Sequence, residues 1–183
     1  MTSAAPKLLP LTADECRPDV AEVIAVAESA TGGAQNIFWT MARHPGLFKR
    51  YAPFGGKFLS GGKLPAADRE LAILRTAHRC GSEYEWAQHE RIAIGAGLQR
   101  AEIARVRDDS LDEWLSHEAA LLRATDELLT QHRVLDDTWE ELACHYDEKQ
   151  LIELVLLVGN YAMLAGFLNT VGVQIEDDQG AMP

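Results

Sequence analysis

The chain has 183 residues, 47% of them hydrophobic and 25% charged, with a formal net charge of -11. Such a length and composition fit one soluble globular domain that buries a core without disulfides or structural metals. The acidic balance argues against nucleic acid and anionic membrane surfaces as partners, because both need a basic face.

The three cysteines, Cys16, Cys80 and Cys144, are far apart and odd in number, and no CxxC pair occurs. No disulfide framework is implied, and a reducing cytoplasm is the expected compartment. Met1 to Leu11 lacks the apolar region of a signal peptide. The longest uninterrupted apolar run, Leu154 to Val158, is too short to span a bilayer, so no membrane association is expected.

In chain order, residues 1–12 read as a loose arm, 13–173 as one helical domain and 174–183 as a polar, mobile tail. Val20, Val23, Ile24 and Ala27 recur at helical spacing after Pro18, and Gly32 and Gly33 end that helix. A second helical stretch starts at a candidate N-cap, Asn36, and breaks at His44-Pro45-Gly46. It resumes over Leu47 to Leu59, with a bend expected at Pro53, and Gly61-Gly62 stops it. A third helix starts at Pro65, with Leu71, Ile73 and Leu74 on its apolar face. Gly81 falls where a helix-terminating glycine belongs. Ser82 opens the next helix, at capping-box spacing from Glu85, and Gly95 to Gly97 close it. Further helices are expected near Arg100 to Val106, Leu111 to Gln131, Asp137 to Tyr146 and Glu148 to Thr170. The last is apolar on most faces, which suits a central or oligomer-facing helix. Strand alternation is nowhere visible, so the fold class is an all-α bundle in a single domain.

The densest polar and aromatic cluster is Cys80-Gly-Ser-Glu-Tyr-Glu-Trp-Ala-Gln-His89. Glu85 and His89, four apart, share one helix face, and Trp86 can wall it. Glu70 lies on the preceding helix, and a tight turn at Gly81 would bring it towards the other two. The first turn from Ser82 favours negative charge through its backbone N–H groups and the macrodipole, so a carboxylate or an enolate oxygen suits it. Histidine changes protonation near neutral pH and suits proton transfer. Bland alternatives stand beside these. Glu85 has the spacing of a cap, Glu70 has Arg69 and Arg75 as surface partners, and a lone histidine is more often structural. A metal site from Glu70, Glu85, His89 and His78 is the less favoured option. His78, Tyr84, Trp86 and Ser82 are the candidate substrate-binding residues; Asn160 and Tyr161 on the last helix are weaker ones. His117, His132 and His145 read as surface residues, and Cys80 as a small buried one.

The stretch Arg69-Glu-Leu-Ala-Ile-Leu-Arg-Thr-Ala-His-Arg-Cys-Gly-Ser-Glu-Tyr-Glu-Trp-Ala-Gln-His89 resembles the carboxymuconolactone decarboxylase family, of the alkylhydroperoxidase-D-like superfamily. The likeness continues through Gly95-Ala-Gly-Leu98, Glu153 to Tyr161 and Asn169 to Val173. It implies an alkylhydroperoxidase-D-like helical bundle and a homo-oligomer, a trimer or a hexamer. It implies neither cofactor nor metal. In the peroxidase branch a glutamate is followed after twelve residues by CxxC, and four residues later by a histidine. Glu70 and His89 match the outer positions, but Ser82 and Glu85 occupy the two cysteine positions and cannot form a dithiol. The resemblance therefore implies the cysteine-less branch. Its expected chemistry is cofactor-independent: decarboxylation, isomerisation or opening of a small carboxylated lactone or ring compound. His89 would serve as proton donor or electrophile, Glu85 as its orienter or as base, and Glu70 would hold the network. A thiol peroxidase and a catalytically inactive helical oligomer or binding module remain as alternatives.

Overall fold

A computed structural model describes residues 5–31, 33 and 35–176. Expectations for residues 1–4, for Gly32 and for residues 177–183 lie outside the described residues. Nine α-helices and no strand occur among the described residues. They fall into two compact units, 1–62 with 168–183, and 63–167.

The first unit holds a short 3-10 turn, Ala13–Glu15, then α1 (Pro18–Thr31), α2 (Asn36–Met41) and α3 (Pro45–Gly61). Val20, Ile24, Ala42 and Phe48 form its core, with Leu11, Phe38 and Trp39 packed against them. Of the α1 positions the helical spacing predicts, Val20 and Ile24 lie in this core and Val23 packs against it partly buried. Helix α3 runs through Pro53 unbroken, with Phe48 and Phe58 buried on either side. Burial of two large rings offsets the lost backbone hydrogen bond at the proline. His44 caps α3, its Nδ1 accepting from the Leu47 N–H at 3.2 Å.

The described residues of both termini make hydrogen bonds within this unit. Lys7 N–H donates to the Val171 carbonyl at 2.7 Å and Leu11 N–H to that of Trp39 at 3.2 Å. Arg43 Nε also reaches the Leu9 carbonyl at 2.6 Å. Residues 174–176 are likewise held, because Glu176 Oε1 accepts from the Asn36 N–H at 2.6 Å and the Gln174 carbonyl from Asn36 Nδ2 at 2.9 Å. Gln35, not Asn36, is the N-cap of α2. The free N–H at this helix start is satisfied by a carboxylate 140 residues away, a partner that no local pattern reveals.

The second unit is built on α4 (Ala66–Arg79), with α5 (Glu83–Gly95), α6 (Arg100–Arg105), α7 (Ser116–Gln131) and α8 (Asp136–Ala143). Helix α9 (Glu148–Val171) supplies its residues through Phe167 to this unit and the rest to the first. Helix α4 packs on α5 and α7, α7 on α8, and α5 on α6. Leu71, Ala72, Ile73 and Leu74 of α4 are all fully buried, so α4 is covered on every side rather than on one stripe. Arg75 is 1% exposed. Its guanidinium makes a two-point bridge to Asp126 of α7 at 2.9 and 2.7 Å and donates to the Val106 and Asp108 carbonyls at 2.5 and 2.6 Å. One buried cation thus ties three segments through four hydrogen bonds.

Helix α7 begins at Ser116, not near Leu111. Residues before it form a turn in which Arg105 stacks on Trp114 at 4.4 Å, and Glu118 accepts from the Leu115 N–H at 3.1 Å to start the helix. Helix α8 ends at Ala143 rather than Tyr146. The Tyr146 hydroxyl, its pKa raised chiefly by burial, donates to Asp68 Oδ2 at 2.9 Å. Asp147 caps α9, accepting from the Lys149 and Gln150 N–H groups at 2.9 Å each. A count of uninterrupted apolar residues understates α9: by length and composition it is apolar enough to cross a membrane, and half of its most apolar 18-residue window is buried within the chain.

Candidate functional site

The turn between α4 and α5 sets the site. Gly81 has φ +62, a left-handed conformation that side chains with a Cβ disfavour. The Ser82 N–H reaches back to the Ala77 carbonyl at 2.8 Å and the Gly81 N–H to that of His78 at 3.1 Å, the paired closure of a Schellman motif. This compact ending turns the chain sharply, and α5 folds back on α4.

Glu70, Glu85 and His89 are thereby all buried in one unit, at 0%, 3% and 6% exposure. Glu70 and His89 meet directly: Nδ1 of the imidazole lies 2.7 Å from Glu70 Oε2. The other carboxylate oxygen accepts from Arg69 Nε at 2.8 Å. Burial alone would raise the Glu70 pKa, but the His89 and Arg69 charges and hydrogen bonds outweigh it and hold the carboxyl below its ordinary range. Glu70 is thus ionised, and the imidazole must place a proton on Nδ1 to donate to it. In the neutral ring, Nε2 is then the acceptor. Tyr161 of α9 stands edge-on to the His89 ring, with centroids 4.9 Å apart and planes at 90°, a favourable arrangement that fixes the ring plane.

Glu85 does not orient His89. Both of its carboxyl oxygens are buried, and neither makes a well-formed hydrogen bond. Burial pushes its pKa up to about 8 against a hydrogen-bonding contact with the Ser82 hydroxyl, which acts to lower it, so at neutral pH it is mostly the uncharged acid. The capping box expected between Ser82 and Glu85 is absent: Ser82 is the N-cap but makes no side-chain cap bond, and its Oγ is also buried without a well-formed hydrogen bond. The bland explanation for Glu85 therefore fails. The box requires a carboxylate turned towards the N-cap N–H, whereas this side chain is directed into the interior as a neutral acid.

The remaining candidates divide. Tyr84 is buried. Trp86 is half-buried and contacts His78, edge-on at 6.3 Å, and Arg107, whose guanidinium lies 3.9 Å over the ring. His78 belongs to that second cluster. Its pKa is lowered, first by burial and then by Arg79, Arg107 and Arg75. Cys80 is half-buried with its thiol pushed up by burial, the opposite of a reactive thiolate. Among the described residues no three or more His, Cys, Asp or Glu side chains are grouped to hold a metal ion. Arg69, which pins Glu70, went unmarked in the sequence except as one possible surface partner. Only its adjacency to an acid hinted at it, and whether that acid is buried is a tertiary fact.

The model of the Carboxymuconolactone decarboxylase family matches residues 45–127, a span containing Glu70, Ser82, Glu85 and His89. Similar solved structures include the debrominase Bmp8, with a TM-score of 0.77, 20% identity and 92% and 91% of the two chains covered. Another is an uncharacterised peroxidase-related protein with an alkylhydroperoxidase AhpD core from Ralstonia eutropha JMP134 (TM-score 0.82, 18% identity, 96% and 94% covered). A third is an uncharacterised peroxidase-related protein from Silicibacter sp. TM1040 (TM-score 0.81, 10% identity, 100% and 98% covered). At these identities the likeness establishes the fold. No curated protein matches the sequence.

Proposed function

We propose, taking as premise that this chain belongs to the carboxymuconolactone decarboxylase family within the AhpD-like superfamily, that it is a cofactor-independent acid–base enzyme acting at His89. The observation that carries this is the buried contact of His89 Nδ1 with Glu70 Oε2 at 2.7 Å. A histidine held by an ionised carboxylate keeps its second nitrogen, Nε2, for proton transfer, and the carboxylate stabilises the ring when it charges. The reaction class we favour is decarboxylation of a small carboxylated lactone or ring compound. Isomerisation and ring opening use the same proton transfers. In decarboxylation the C–C electrons move into a carbonyl as CO₂ leaves, and a protonated His89 returns a proton to carbon.

Thiol peroxidase chemistry has no support at this site. Ser82 and Glu85 stand at the dithiol positions, and Cys80 is two residues away with a raised pKa. We also propose a homo-oligomer. Ile152, Val155, Leu156 and Met163 leave an apolar stripe exposed on α9, larger than isolated surface residues account for. The enzyme reading is tested by following CO₂ release from a panel of carboxylated lactones and β-keto acids. His89→Ala should lower turnover by at least about a hundredfold while far-UV circular dichroism is unchanged. Undiminished turnover in that variant would discard the assignment.

A further inference from the structure

We propose that Ser82 and Glu85 hold the substrate by a two-point pairing, and that the ligand class is a small molecule whose edge offers a carbonyl oxygen beside an N–H or O–H group: a lactam, or a carboxylic acid taken up with its proton. This rests on the reading that the site surrounds His89, and it narrows the substrate of that site.

Three polar atoms carry the argument: both Glu85 carboxyl oxygens and Ser82 Oγ are buried, and none makes a well-formed hydrogen bond, their one polar contact being with each other. Their residues are 3% and 1% exposed, so bulk water does not answer them. A buried polar group left unpaired costs about 1–3 kcal/mol, and such groups are few in native proteins. Here they sit together in the first turn of α5, at the N-cap and three residues on. The two do not satisfy the backbone, which is the ordinary work of those positions.

Their chemistry defines the complement. Held uncharged by burial, Glu85 has one O–H donor and one carbonyl acceptor side by side, and the Ser82 hydroxyl is both donor and acceptor. Even if the serine donates to the carboxyl, the pair still presents one donor and one acceptor outward. A lactone or ester carbonyl, or a carboxylate, offers acceptors only and leaves an orphan behind. A lactam or a protonated carboxylic acid answers both. Glu70 does not compete, since His89 and Arg69 occupy its oxygens, and Cys80 is the titrating neighbour whose thiol feels the Glu85 charge. Four residues, about 6 Å of helical rise, separate Glu85 from His89. A single five- or six-membered ring reaches from one to the other.

The experiment measures binding without turnover, by ligand-observed NMR on the full chain, with 2-piperidone and N-methyl-2-piperidone as probes. The N–H lactam should bind at least about tenfold more tightly than its N-methyl analogue, the range a lost hydrogen bond to a buried group allows. Glu85→Gln should keep lactam binding within about threefold, because an amide offers the same donor and acceptor. Its binding should not change with pH, whereas wild-type binding should weaken as pH rises through about 8. Glu85→Leu should lose about tenfold or more. No detectable lactam binding, equal binding of the two probes, or unchanged binding in Glu85→Leu would each overturn the pairing. His89→Ala separates the two ideas: it should retain lactam binding, so lost turnover without lactam preference sinks the pairing alone, and lactam binding with undiminished turnover sinks the enzyme assignment alone.

Discussion

His89 is bonded to Glu70, nineteen residues before it on another helix, and not to Glu85, which shares its own helix face four residues away. The two acids consequently take opposite charge states. Glu70, answered by Arg69 and the imidazole, is ionised; Glu85, buried without a well-formed hydrogen bond, is mostly neutral. Divergent environments of this kind are how two carboxyl groups acquire two roles in one site.

Glu70→Gln should remove the charge that holds the proton on Nδ1 of His89. The expected result is a mixture of tautomers, read from imidazole ¹⁵N shifts, where the wild type shows Nδ1–H. Turnover should fall by roughly 10²- to 10⁴-fold. A wild-type ring protonated only on Nε2 would contradict the assignment.

Stability should depend on pH through Glu85. Its folded pKa, about 8, lies above its ordinary 4.5. The group's contribution is therefore fully present below about 4.5 and is lost as pH rises through about 8. The loss amounts to a few kcal/mol, at about 1.4 kcal/mol per tenfold change. Glu70, held below its ordinary value, acts oppositely and lower, its contribution being lost as pH falls beneath about 4.5. Urea unfolding between pH 6 and 9 should show wild-type stability declining and Glu85→Gln nearly flat.

Arg75→Met should destabilise the fold by about 3–5 kcal/mol, because it leaves Asp126 and two carbonyls without their buried cation. Asp126 keeps Arg79, whose Nε lies 2.9 Å from it, so the lower end of that range is expected. The double variant Arg75→Met with Asp126→Leu should recover part of the loss in urea unfolding.

Leu156→Glu should reduce the assembly. Leu156 is 49% exposed at the middle of the α9 stripe, and a charge there opposes burial against a second copy. Light scattering should report a smaller species with unchanged helicity. A wild-type chain already monomeric at micromolar concentration would refute the proposed oligomer.

Cys80→Ser should leave hydroperoxide consumption unchanged and near background, since the thiol is pushed up by burial. A peroxidase rate that vanishes with this substitution would return the chain to thiol chemistry.

What the sequence by itself determined is the local part. The 3.6-residue apolar spacing and the glycines and prolines marked α1, α3, α4, α5 and α9 and the turn at Gly81, because those signals act within a few residues. It also brought Glu70, Glu85 and His89 forward as one cluster, through their spacing in a family-like stretch. Only the tertiary structure decided which acid holds the histidine. Spacing of four favoured Glu85, but the packing of α4 against α5 set Glu70 beside Nδ1, and burial beside Arg69 kept it charged. The same holds where Glu176 meets the start of α2 and where Arg75 ties α4 to α7. In each case the partner lies far along the chain, and its charge depends on what surrounds it once the chain is folded.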